Sequence, residues 1–214
     1  MRYLLVSLCC LWLQAASAEV TMQILDQDQQ PVTDAVVFVT GEAVSSPTDS
    51  AVMDQVDESF VPRILVVQKG QFVRFPNSDD IRHHVYSFSE PKSFEIKLYK
   101  GSDIAPIQFD KPGLVILGCN IHDDMIGYIF VADNEYAVKT NDKGWVTLPV
   151  EAGDSVSIWN ERFVEGVDTI KRFEVGSDAR QAVTLNLYPP IEVSDHSDHD
   201  YDYDWRNEVD GVSG

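Results

Sequence analysis

Between Val20 and Leu187 the chain is a succession of short β-branched and aromatic segments. Each is cut off within a few residues by Gly, Pro, Asn or Asp, and no stretch sustains a helical period over three turns. Val20–Leu25 and Ala35–Thr40 flank a turn-rich Asp-Gln-Asp-Gln-Gln-Pro segment. Ile64–Val67, Gln71–Phe75, His84–Phe88, Phe94–Leu98, Leu114–Leu117 and Ile126–Val131 follow. After Asp133-Asn134, the run Thr140-Asn-Asp-Lys-Gly144 reads as a hairpin turn. Trp145–Val150, Ser155–Trp159, Ile170–Val175 and Ala182–Leu187 then read as four more strands. Many short strands with frequent turn signals predict an all-β chain built as an antiparallel sandwich or barrel. The expected organisation is a main β domain over 19–133, a second small β-sandwich over 134–190, and an acidic disordered tail over 191–214. Val20–Thr40 is expected to supply strands to the main domain. The tail follows Tyr188-Pro189-Pro190 and is a low-complexity run of Asp, Ser, His and Tyr.

The first 18 residues have the form of an export signal. Arg2 is the basic start, Leu4 to Leu13 the apolar centre, and Ala16-Ser17-Ala18 an A-x-A cleavage site. The apolar run is too short to span a bilayer, and no later segment is apolar enough, so no stable membrane insertion is expected. A periplasmic location follows. Cleavage after Ala18 leaves roughly 195 residues, enough for one large or two small domains with a real core. With 16 Lys+Arg against 35 Asp+Glu, the formal net charge is −19. Such a surface disfavours nucleic acid and anionic membranes and suits basic partners or cations.

Cleavage also removes Cys9 and Cys10, leaving Cys119 as a lone thiol in an oxidising compartment. No internal disulfide can form, and a metal–thiolate bond explains such a thiol economically. Cys119 begins the run Cys119-Asn120-Ile121-His122-Asp123-Asp124-Met125, a C-x2-H-x2-M spacing between two apolar strands. Thiolate, imidazole and thioether form a soft donor set that suits copper better than zinc, calcium or magnesium. A blue-copper site needs two His and one Cys near a plane with a long axial Met. Cys119, His122 and Met125 offer three of the four. The other imidazole is expected from His83-His84. Neighbours in a strand point to opposite faces, so only one of the pair can face the Cys119 loop, and His83 is the expected ligand.

The stretch from Phe60 to Ala132 resembles a cupredoxin, the blue-copper electron-carrier fold. Phe60-Val61-Pro62 with Ile64-Leu-Val-Val-Gln-Lys-Gly70 is similar to that family's opening strand, and Phe75-Pro-Asn-Ser-Asp79 precedes its first ligand strand. The resemblance implies a cupredoxin-like Greek-key β-sandwich and makes His83 the ligand where the family has a His-Asn pair; His84 stands in place of that Asn. The ligand loop is of the short amicyanin type. His83–Ser89, Phe94–Gly101 and Leu117–Asp123 also resemble the cupredoxin-like group labelled methylamine-utilisation proteins. The N-terminal strands and the block from Asn134 to Pro190 resemble a carboxypeptidase-regulatory-like sandwich, through Asp28–Ala35 and Thr140–Leu148.

These readings together predict a periplasmic type 1 copper protein holding one copper ion through His83, Cys119, His122 and Met125. It would carry single electrons and would not be an enzyme. It would need a redox partner such as a c-type cytochrome or a periplasmic oxidoreductase, and the family resemblance implies that electrons leave by the exposed edge of His122. Copper sequestration, delivery or tolerance is the alternative, favoured slightly by His196 and His199 among the tail aspartates. An exported interaction module without metal is the third reading, and the lone thiol argues against it.

Overall fold

A computed structural model describes residues 19–190. The export segment expected over 1–18, and the acidic tail over 191–214 with His196 and His199, lie outside the described residues. All described elements are strands. β1 (Val20–Asp26) and β2 (Val36–Ala43) come first. Next come β3 (Ala51–Val52), β4 (Asp54–Val56), β5 (Ser59–Val61), β6 (Ile64–Gln68) and β7 (Phe72–Arg74). β8 (His83–Ser87), β9 (Phe94–Tyr99), β10 (Ile107–Gln108), β11 (Gly113–Gly118) and β12 (Ile126–Ala132) follow. β13 (Glu135–Lys139), β14 (Trp145–Leu148), β15 (Ser155–Trp159), β16 (Ile170–Glu174) and β17 (Arg180–Leu185) complete the series.

The strands make two sandwiches. One consists of the sheets β14-β1-β17 and β13-β2-β15-β16. Its core holds Met22 and Ile24 of β1, Val37 and Val39 of β2, and Val156 and Ile158 of β15. Val20, Met22 and Ile24 alternate inward along β1, the period of a strand with one face on the core. The other sandwich consists of the sheet β6-β12-β11-β8-β9, the small sheet β10-β7-β3 and the hairpin β4-β5. Phe75, Val85, Phe109, Leu117, Cys119, Met125 and Ile129 lie in its core.

Two expectations are corrected by the strand pairing. Val20–Thr40 does not extend the Cys119 sandwich: β1 pairs with β14 and β17, and β2 with β13 and β15. β3 to β12 are therefore inserted between β2 and β13, which are antiparallel neighbours. The turn Asn141–Gly144 joins strands of two different sheets and so does not close a hairpin. It is nonetheless tight. Gly144 has φ +73°, and a Cβ there would meet the Ile24 carbonyl at 2.5 Å, so only glycine fits.

Strand alternation also explains how the sandwiches join. β12 is buried on both faces along most of its length: Ile129 and Val131 point into the Cys119 sandwich. Its neighbours Tyr128, Phe130 and Ala132 meet Val36 and Phe38 of β2 and Trp159 of β15 in a third apolar cluster. A strand buried on both faces loses the polar alternation of a solvent-facing one. At the rim, Arg63 grips Glu161 with two nitrogens, Nε to Oε1 at 2.9 Å and Nη2 to Oε2 at 2.7 Å.

Candidate metal centre

The loop from Cys119 to Met125 closes the end of the β11–β12 hairpin. Met125 N donates to the His122 carbonyl at 3.1 Å and Ile126 N to the Asp124 carbonyl at 3.0 Å. Between them these bonds turn the chain back within one short loop. Cys119 and Met125 are buried, His122 is partly open, and Asp123 and Asp124 face solvent. β8 brings His83 under this loop through its pairing with β11, where Tyr86 lies opposite Gly118. A Cβ at Gly118 would stand 2.8 Å from the Tyr86 ring, so a larger residue there would displace that ring.

His83 Nδ1 lies 4.0 Å from Cys119 Sγ, and His122 Nδ1 lies 3.9 Å from the same sulfur. The ligand atoms of these three residues all lie within 4.8 Å of one another. Bonds of about 2.0 Å to nitrogen and about 2.3 Å to sulfur, opened to about 120°, would set N and S about 3.7 Å apart. The observed spacing fits one ion held between them. His83 is fully buried and Cys119 nearly so, so little water reaches the point between them. Met125 is buried in the same core.

His83 and His84 face different partners. His84 Nε2 meets Glu95 Oε1 at 2.9 Å and Asn120 Nδ2 at 3.5 Å, away from Cys119 Sγ. Neighbours along β8 point to opposite faces, and both faces are covered there, so both histidines are buried; the pairing with β9 shifts register between His83 and Val85.

Two carboxylates that the sequence did not point to stand behind the imidazoles. Asp79 Oδ2 lies 2.8 Å from His83 Nε2, and Glu58 Oε2 lies 3.6 Å from His122 Nε2. Asp79 also accepts the backbone N–H of Glu58 at 2.9 Å and of Asp80 at 2.8 Å. Burial pushes its carboxyl up, but the Glu58 N–H, His83 and the Asp80 N–H outweigh burial and hold it below the ordinary carboxylate range. Asn77 organises this turn, donating from Nδ2 to the Ile81 and Tyr99 carbonyls. Deeper in the same core, burial pushes the Tyr99 phenol up to about 12. Tyr99 accepts from Gln55 and donates to the Phe75 carbonyl at 2.7 Å. The only sequence hint of Asp79 was its place four residues before His83; Glu58 gave none.

No family model matches the chain, and no curated protein matches it. Solved structures to which it is similar include a purple cupredoxin from Nitrosopumilus maritimus, at 19% identity and TM-score 0.35, covering 39% of this chain and 100% of that one. A reduced Cu(I) amicyanin mutant aligns at 18% identity and TM-score 0.36, over 44% of this chain and 97% of that one. A copper-containing nitrite reductase from Thermus scotoductus SA-01 aligns at 26% identity and TM-score 0.38, over 52% of this chain and 28% of the reductase chain.

Proposed function

We propose that this protein is an exported type 1 copper protein that carries one electron at a time between partner proteins. The observation that carries the reading is the gathering of one ligand atom each from His83, Cys119 and His122 within 4.8 Å of one another at a buried end of one sandwich. Copper bound there would supply a reversible one-electron couple. Cys119 would hold it as thiolate, His83 and His122 would complete the plane, and Met125 would be the weak axial donor.

The rest of the chain keeps that site closed and rigid. The loop is pinned at both ends by strands β11 and β12, whose inward residues Val115, Leu117, Ile129 and Val131 are fully or almost fully buried. His122 is 21% exposed, so its ring edge is the part of the site nearest a partner. The acidic surface would favour a basic partner, such as a c-type cytochrome or a periplasmic oxidoreductase, and the protein itself would turn over no substrate. Kinship to the methylamine-utilisation group, as the sequence suggests, would not by itself imply amine oxidation. Copper loading of the mature protein tests the reading. An intense blue thiolate-to-Cu(II) band with narrow copper hyperfine splitting is expected, and a pale Cu(II) form with ordinary splitting would refute it.

A further inference from the structure

Asp57 and Glu58 are the two loop residues of the β4–β5 hairpin, which closes with Val56 opposite Ser59. Their φ angles are +48° and +55°, the left-handed pair that a two-residue type I′ turn demands. Asp tolerates that region, and Gly or Asn occupies it most easily; Glu has no such local advantage. The strained residue is also the one whose backbone and side chain both reach the Cys119 site. Its N–H binds Asp79, which binds His83, and its carboxylate faces His122. One turn thus reaches the outer nitrogens of both imidazoles whose inner nitrogens face Cys119.

We propose that Asp79 and Glu58 are positioning residues for the metal, fixing the two imidazoles with Nε2–H outward and lowering the reduction potential of the site. The inference rests on the copper reading above. An Nε2–H donated to a carboxylate leaves Nδ1 as the lone-pair nitrogen and makes it a better donor. Two negative groups behind the ligands also favour Cu(II) over Cu(I) by simple charge. Asp79 has the dominant effect, being close and 11% exposed. Glu58 is farther away and 46% exposed, so water screens it. Glu58 thus makes a contact with His122 that the glycine or asparagine usual in such a turn would not make.

The test uses the copper-loaded full chain, its reduction potential, and pulsed EPR of the outer imidazole nitrogens. Asp79→Asn should reduce the preference for Cu(II) over Cu(I) about tenfold, an upward shift of about 59 mV for one electron. It should also alter the quadrupole coupling of one outer nitrogen. Glu58→Gln should give a smaller shift in the same direction, roughly threefold. Glu58→Gly should raise the melting temperature of the metal-free protein by relieving the turn, while raising the potential as Glu58→Gln does. Asp57→Asn removes a charge from the same turn without touching either histidine, and should change neither readout. Unchanged potential and nitrogen couplings in Asp79→Asn, or an equal shift in Asp57→Asn, would overturn the proposal. If Asp79→Asn fails to fold, the two Glu58 variants decide, and no shift in either overturns it. A wild-type protein that never turns blue would instead remove the copper reading itself, a result distinct from a blue protein indifferent to these substitutions.

Discussion

In the sandwich built from β1, β2 and β13 to β17, the buried Asp26, Asn160 and Thr140 brace turns and loops. Asp26 accepts the N–H groups of Asp28 and Gln30, and Asn160 accepts that of Arg162. Thr140 accepts from Ala35 and donates to the Val32 carbonyl. In the sandwich built from β3 to β12, Gln55, His83 and His84 are buried as well, and not every polar atom finds a partner. Among the described residues the unpaired buried side-chain atoms are Gln55 Oε1, Gln68 Oε1 and His84 Nδ1, all in this half. A buried polar atom without a partner costs about 1–3 kcal/mol. The difference is sharpest at His84, whose unpaired Nδ1 belongs to the residue next to His83, while both halves hold non-glycine residues at positive φ, Gln29 and Asp34 in the one and Asp57 and Glu58 in the other.

The sharpest way to break this comparison is to alter each core and ask what the other loses. Cys119→Ser should abolish the blue band altogether, because a hydroxyl cannot supply the thiolate transition. A surviving band would place the colour elsewhere. In the other core Ile158→Ala should cost about 2–5 kcal/mol in chemical denaturation, as cavities at fully buried aliphatic positions do, and leave the band unshifted. A shifted band would mean that the inserted half feels its host through Trp159 and Phe130. Alkaline titration isolates Tyr99. Its phenol is held near 12 when folded but titrates near 10 when unfolded. The native state therefore binds the extra proton between those values, and stability should fall by about 2–3 kcal/mol as pH rises from about 10 to 12. Melting followed by tyrosine absorbance checks this, and a flat profile would show that Tyr99 is not buried. The smallest effect is expected at the seam. Glu161→Gln breaks the two-pronged contact with Arg63 and should cost about 1–2 kcal/mol. Amide exchange read over β6 and β15 should locate that loss at the junction.

Much of the fold was legible because each strand carries its own signal. Val20–Leu25 reads as a strand whatever it pairs with. Its partner was not legible: the same alternation suits either sandwich, and the choice is made by β17, some 160 positions away along the chain. The short strands β3, β4 and β10 were missed because two or three residues carry no period, and β5 was read as the start of the longer strand that follows it. The β4–β5 turn was missed because Asp57-Glu58 lacks the glycine or asparagine that usually announces one. In the candidate site, the spacing of Cys119, His122 and Met125 is local and so was visible. Strand alternation is local too, and the structure sets His83 toward Cys119 and His84 toward Glu95. Asp79 and Glu58 reach their histidines through a turn and a hairpin, which no single window of sequence contains.

The insertion of β3–β12 between β2 and β13 sets the order in which partner strands become available during synthesis. A chain emerging from its N-terminus presents β1 first, yet the strands it pairs with, β14 and β17, come more than a hundred residues later. By the time Ala132 has emerged, the Cys119 half already possesses every strand of its own sheets. That half can close, and offer its ligand loop to a metal, while β1 and β2 still wait with apolar faces uncovered. Long-range pairing of this kind is slow to form. The host sandwich is thus the last part whose strands are all present.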